Sequence, residues 1–316
     1  MVDDIRAILS PLLFVCYVFG TRIIEYPVNK PRTWCSYLYI LLIWLTYSLS
    51  LVYTLMCYVR INSIVYQFCF WLNLFTAILT IALGIYHDKK FRSCLRKLAI
   101  VDDTLEKLGT TTDYQKLYTK ALLIVFVWCA FVLCITYTRA LWLKGSSHNV
   151  KNLFVAFMLE YGTCTNLLDD LVITGTLGYI RLKFDQVNEY LRKMKCGNEY
   201  ELKPAWEHST SIPRRVGNAN STGNACATWI MIHLHLDLRK ISRELNSIFG
   251  LQMTIKMGTY FAFMALGFRE LFNVILIINY VEKTFLFVII IINFLFANTF
   301  RLFIINYMCE EVSVKV

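Results

Sequence analysis

The sequence predicts an all-α fold, a polytopic transmembrane helical bundle, and three observations support this prediction. Two apolar stretches, 37–59 and 284–305, each reach the roughly 20 helical residues needed to cross a hydrocarbon core. Hydrophobic residues make up 57% of the chain and charged residues only 17%. The mean hydropathy is +0.51. A soluble protein of this length would carry more charged surface, so we expect the chain to lie in a lipid bilayer.

The chain is predicted to form a single domain over residues 1–316, because no Gly-rich or Pro-rich linker divides it. Glu160, Asp169 and Asp170 interrupt the fourth predicted span, and the fifth is long enough to tilt or to extend into water. The predicted spans cover about 37–59, 64–86, 121–143, 153–180, 245–279 and 284–308.

The N-terminal segment, 1–35, contains an apolar run over 8–19 that Pro11 interrupts. A run of about 12 residues is too short to span a bilayer. It also lacks the basic start and the small-residue cleavage site of a signal peptide. We expect a short helix that is either interfacial or packed in the bundle, with an uncleaved signal-anchor as the alternative.

Lysine and arginine are concentrated in every second connection between the predicted spans. The basic side holds four in the N-terminal segment, eight over 89–120 and eleven over 181–243. By the positive-inside rule, these segments and the N-terminus lie in the cytoplasm. The opposite side has little beyond Arg60, Lys144, Lys151 and Lys283.

Apolar side chains recur at helical spacing in the basic connections. We expect amphipathic helices that extend the spans and pack together below the membrane, with helices lying on the membrane surface as the alternative. Gly109 is expected to end the first of them. The three stripes are Phe91, Leu95, Leu98, Leu105 and Leu108; Phe184, Val187, Leu191 and Met194; and Trp229, Ile232, Leu236 and Leu245.

Residues 196–228 are rich in Gly, Asn, Ser and Pro, which is typical of a disordered insert. The insert contains one glycosylation sequon, Asn220-Ser221-Thr222. Because the predicted orientation places this insert in the cytoplasm, we expect Asn220 to remain unmodified.

The sequence shows no pattern of an enzyme, since a phosphate-binding glycine loop, a nucleophile elbow and an HExxH pair are all absent. We therefore predict no catalytic residues and no cofactor. His233 and His235 are two residues apart and point to different faces of a helix, which argues against a metal site. None of the eleven cysteines forms a CxxC pair. The net charge of +10 lies between apolar spans, which favours lipid headgroups over nucleic acid as the partner.

Ionisable side chains inside the predicted spans indicate a polar interior, because a charge that faces lipid is costly. The fourth span carries one polar stripe, since its polar residues follow each other by three or four positions. The fifth and sixth spans contribute further polar groups. The stripe consists of Glu160, Thr163, Asn166, Asp170 and Thr174.

Four of these polar residues, Glu160, Thr163, Arg269 and Glu270, are candidates for ligand binding in a water-filled pocket of the extracellular half. The alternative is that they form interhelical hydrogen bonds and ion pairs that only hold the bundle together. For the group nearer the cytoplasm, which includes Asp169, Asp170 and Arg301, we expect this structural role.

Three stretches resemble the insect gustatory receptor family. Residues 101–109 (VDDTLEKLG) resemble the segment before its third span, and 235–250 (HLDLRKISRELNSIFG) resemble the entry to its fifth. Arg301 followed by Cys309 resembles the end of its sixth. The resemblance implies a seven-span fold with a cytoplasmic N-terminus, assembled as a tetrameric ligand-gated cation channel whose last helix lines the pore.

That last helix of the family carries Thr-Tyr, five apolar residues and Gln-Phe. Residues 259–261 resemble only its opening, and the chain stops over 310–316, where this seventh helix should begin. The resemblance therefore implies six of the seven spans.

By resemblance, we expect a taste receptor in the plasma membrane of chemosensory neurons. It would bind a small-molecule tastant between its helices and assemble as a homo- or hetero-tetramer with other gustatory receptor subunits. An insect odorant receptor is the first alternative. A secondary transporter is the second, although the internal repeats that this class predicts are not found.

Overall fold

The computed structural model describes residues 5–23, 33–58, 64–110, 112–143, 149–202, 219–277 and 284–315. These residues form α-helices and contain no strand, which confirms the predicted all-α bundle. The helices are α1 (Ile5–Val18), α2 (Thr33–Cys57), α3 (Ile64–Lys107), α4 (Tyr114–Trp142), α5 (Asn149–Leu202), α6 (Ala219–Leu276) and α7 (Thr284–Lys315).

Five helices, α2, α3, α4, α6 and α7, contain a stretch that is long and apolar enough to cross a membrane. They include five of the predicted spans. The fourth predicted span lies in α5, whose interior carboxylates and amides lower its hydropathy. This helix is the centre of the bundle, because it contacts each of the other six helices. Its polar residues are therefore covered by protein rather than by lipid.

The short helix α1 packs inside the bundle, where Leu9, Leu12 and Cys16 belong to the main apolar core. Of the two positions predicted for this helix, the structure therefore supports packing in the bundle rather than a position at the membrane interface. The chain then turns at Gly20, whose φ of 63° suits glycine and whose added Cβ would lie 3.1 Å from Ile43 Cγ2. The turn is held by the indole of Trp44, which donates a hydrogen bond of 3.2 Å to the carbonyl of Gly20.

The extensions of α3, α5 and α6 beyond the predicted spans pack together, as the sequence indicated. We call this end of the molecule, formed by the described residues 87–110, 112–120, 181–202 and 219–243, the basic end. Leu98, Leu105, Phe184 and Leu238 are all fully buried there in the main core. Helix α3 ends as predicted before Gly109, which has a φ of 87°.

Three of the four residues in the apolar stripe predicted at the start of α6 lie on the wrong face, whereas the fourth, Leu245, is buried in the main core as expected. Trp229, Ile232 and Leu236 are exposed. The buried face instead carries Met231 and Leu234, which contact the main core. Both stripes have helical spacing, so the sequence alone could not choose between them.

Both ends of the predicted insert, 196–228, are helical, because α5 continues through 196–202 and α6 already includes 219–228. The predicted stripe residue Met194 lies in α5, and Asn220 lies in the first turn of α6. Residues 203–218 lie outside the described residues. At the other end of the chain, residues 310–315 continue α7 and do not begin another helix.

Candidate functional site

A cavity of about 500 Å³ lies between α3, α4, α5, α6 and α7. Its lining residues are near the starts of α3, α5 and α7 and near the ends of α4 and α6, so it occupies the half opposite the basic end. This volume is in the usual range for small-molecule sites. Aromatic side chains form much of its wall: Tyr66, Phe70, Phe131, Trp142, Phe263, Phe287 and Phe294.

One wall of the cavity is fixed by hydrogen bonds between α3 and α5. The Asn73 side-chain amide donates to the Thr163 hydroxyl at 2.8 Å. Asn166 in turn donates to the Asn73 side-chain oxygen at 2.8 Å. These bonds connect side chains of α3 to side chains of α5. Asn73 and Thr163 therefore present fixed polar groups to the cavity.

On the facing wall, α6 and α7 approach each other closely at Gly267. A Cβ added at this position would lie 2.7 Å from Leu295 Cδ2, inside van der Waals contact. Glycine at 267 therefore allows the helices to meet and close this side of the cavity.

An ion pair lines the cavity between α4 and α5. Arg139 donates to one oxygen of Glu160, Oε1, from Nε at 2.8 Å and from Nη2 at 2.5 Å. The guanidinium also lies 4.9 Å from the ring centroid of Tyr66. The two charges compensate each other, so this pair makes the site polar without giving it a net charge.

Beneath the cavity lies a buried ionic network centred on Lys256, whose side chain is fully buried. Its Nζ donates to Asp169 at 2.6 Å and to Asp170 at 2.7 Å. Asp169 also accepts from Gln252 and, at 3.3 Å, from Arg22. The network thus joins α5 and α6 to the segment that follows α1.

Asp170 extends the same network to the last helix, α7. One oxygen, Oδ2, accepts hydrogen bonds of 2.7 Å from both the Tyr260 hydroxyl and Arg301 Nε. The Arg301 guanidinium lies 4.3 Å from the Tyr260 ring centroid. Because Arg301 is also part of the cavity lining, the cavity and the network share this residue.

The structure places three of the four sequence-predicted site residues together. Glu160, Thr163 and Glu270 line the cavity, whereas Arg269 is exposed and does not. Adjacent helical residues point about 100° apart, and in α6 this rotation places Glu270 at the cavity and Arg269 on the exposed side of the helix. Asp169, Asp170 and Arg301 form the interhelical contacts expected of them.

The model of the 7tm Chemosensory receptor family matches residues 9–316, nearly the whole chain. The chain belongs to the 7tm Chemosensory receptor family. This chemosensory receptor is accordingly a multi-pass membrane protein whose family context is the recognition of small molecules. The family is not enzymatic in general. No curated protein matches the chain.

Sequence reasoning missed two charged residues of this chemosensory receptor's cavity: Arg139, and Arg301, for which only a structural role was expected. The signal was present, because Arg139 lies inside the third predicted span, where a cation needs a buried partner. The tyrosine of the lining, Tyr66, gave no comparable signal, since tyrosine is also common at membrane interfaces. Asn73 gave a weaker signal than a charge, because an amide inside a span can be satisfied by any neighbouring helix.

Within the described residues, no cluster of three His, Cys, Asp or Glu side chains could hold a metal ion in this receptor. The His233 ring contacts Trp229 on the same helix, whereas the His235 ring contacts Phe184 of α5. The two imidazoles thus lie on different faces of α6, which is the geometry that their spacing predicts.

A second buried network lies at the receptor's basic end. Lys183 donates to Asp102, and the hydroxyls of Tyr114 and Tyr179 each donate to the other Asp102 oxygen at 2.7 Å. Burial lowers the pKa of Lys183, although Asp102 opposes this effect. Burial and the hydrogen bond to Asp102 raise the pKa of the Tyr114 hydroxyl. These contacts join α3, α4 and α5.

Proposed function

We propose that the chain is a gustatory receptor that binds a small tastant in the cavity. It acts as a subunit of a ligand-gated cation channel in the plasma membrane of chemosensory neurons. The cavity carries this proposal: its wall is mostly aromatic and apolar, with a few fixed polar groups, the composition typical of small-molecule sites. A homo- or hetero-tetramer with other gustatory receptor subunits follows from the sequence resemblance.

Glu160, Thr163 and Glu270 are the proposed ligand-contacting polar residues, and Arg269 is left out because it is exposed. Helix α7 supplies a large share of the lining and also holds Arg301 in the buried network. A ligand that contacts α7 can therefore shift this helix relative to α5, which supports a gating role.

The test is the calcium response of cells that express the chain to sucrose, caffeine and quinine. For an active tastant, Glu270→Gln should shift the half-maximal concentration by about tenfold, the loss of one charged hydrogen bond. Arg269→Gln is the matched control, because it removes a neighbouring charge outside the cavity. Surface expression of both variants is measured alongside.

Equal responses of wild type, Glu270→Gln and Thr163→Val would place the ligand elsewhere. A response that appears only when an odorant co-receptor is expressed with the chain would favour the odorant receptor alternative.

A further inference from the structure

We propose that Arg301 determines ligand specificity, so that the cavity takes an apolar molecule bearing an acceptor oxygen, either a carbonyl or a carboxylate, at its buried end. This inference rests on the proposed function, since it names the ligand class of the same cavity. It depends on three features of the site: the unpartnered hydrogen-bond donor of Arg301, the net charge of the buried network, and the apolar side chains of the nearby wall.

Arg301 has unused hydrogen-bonding capacity at the inner end of the cavity. It is only 5% exposed, and of the α7 residues that line the cavity it is the farthest along the helix. Nε is bonded to Asp170, but Nη2 has no hydrogen-bond partner among the described residues. A buried donor without an acceptor is costly, so an acceptor brought by a ligand would bind there favourably.

The other cation of the lining, Arg139, differs from Arg301 in its hydrogen bonding. Its Nε and Nη2 both donate to Glu160, which no second cation shares in a salt bridge among the described residues. Asp170, by contrast, is shared by Arg301, Lys256 and Tyr260. Arg301 is therefore the less compensated of the two arginines.

The charges of the buried network also favour an acceptor at this end. Among the described residues, Arg22, Lys256 and Arg301 pair with Asp169 and Asp170 alone, which leaves one positive charge in excess within this set. In a low-dielectric interior such an excess attracts an oxygen with negative charge or partial negative charge.

The part of the ligand next to this oxygen must be apolar. Phe263, Phe294 and Ile291 form part of the wall near α7, and the amide of Asn298 already donates to the Phe294 carbonyl at 2.8 Å. An aromatic ring suits this wall, because aromatic side chains bind rings by stacking and edge contacts.

Cys69 supplies a readout that does not depend on channel activity. It lines the cavity, so a bound ligand slows its alkylation by N-ethylmaleimide. Cys57 is exposed, lies outside the lining, and reports the general reactivity of thiols. Mass spectrometry of the two peptides from the purified full chain gives the ratio of their alkylation rates.

Three probes of matched size test the inference: methyl 3-phenylpropanoate, 3-phenylpropanoate and pentylbenzene. We expect the two oxygen-bearing probes to protect Cys69 at concentrations about ten- to a hundredfold lower than pentylbenzene. Stronger protection by the ester assigns a neutral carbonyl, and stronger protection by the acid assigns a carboxylate. Arg301→Met should remove the preference for oxygen, and Arg301→Lys, which retains the charge near Asp170, should reduce it.

Arg269→Lys is the matched control and should retain the preference, because Arg269 is exposed and lies outside the cavity. Equal protection by all three probes in the wild type would contradict the role proposed for Arg301. The proposal that the cavity binds ligands would still stand. Protection by none of them, nor by any tastant active in cells, would overturn the proposed ligand site itself.

Discussion

The Arg139–Glu160 ion pair shows how single residues determine the character of the cavity. The Arg139 side chain is 17% exposed and that of Glu160 only 7%, so each charge depends on the other for compensation. A buried pair adds little net stability compared with apolar residues, but the loss of one member leaves an uncompensated charge. The pair thus sets the polarity of the site rather than the stability of the fold.

This reasoning predicts the effect of breaking the pair. Arg139→Met and Glu160→Gln should each destabilise the protein, by about 3–5 kcal/mol where the remaining charge stays buried. The double variant should be more stable than either single variant, because it leaves no unpaired charge. Thermal unfolding of the four proteins in one detergent measures this coupling. Additive losses in the double variant would show that the side chains act independently.

At the scale of helices, α6 and α7 approach each other closely at Gly267. Gly267 and Gly258 lie on the same helix, but only Gly267 is close to a neighbour. Leu295 would be 2.7 Å from a Cβ at 267, whereas nothing lies within 4 Å of one at 258.

The two glycines therefore make a matched pair of tests. Gly267→Ala should cost about 1–3 kcal/mol of stability, because it overpacks the contact with the buried Leu295. Gly258→Ala should stabilise the protein by up to about 1 kcal/mol through helix propensity. Melting temperatures of both variants check this. A stabilising shift for both variants would mean that α6 and α7 are not in close contact at 267.

The basic end gives a second prediction at the scale of helices. Lys183→Met should destabilise the packing of α3 against α5, because it leaves Asp102 buried with only hydroxyl partners. Asp102→Asn in the same chain should restore part of the loss. Trypsin sensitivity of the 181–243 region provides the measurement. Full stability of Lys183→Met would indicate that Asp102 does not need its cation.

For the whole molecule, the charge distribution predicts the orientation in the membrane. An epitope inserted between residues 203 and 218 should bind antibody only after cells are permeabilised, and one inserted between 144 and 148 should bind on intact cells. Asn220 should carry no glycan, as judged by unchanged mobility after glycosidase treatment. Staining of the 203–218 epitope on intact cells would contradict the predicted orientation.

The sequence by itself determined that the chain is a helical membrane protein, where most of its spans lie, and that α5 carries a polar stripe. These properties depend on residue type and on spacing along one helix, and both are local. For the same reason Glu160, Thr163 and Glu270 could be selected before their neighbours were known.

Only the tertiary structure decided which face of each helix is covered. It separated Arg269 from Glu270, and it replaced the Trp229 stripe with the face that carries Met231. It also paired Arg139 with Glu160 and brought Arg301 to both the cavity and the network. These outcomes depend on side chains of other helices, whose positions result from packing and cannot be read from spacing along one helix.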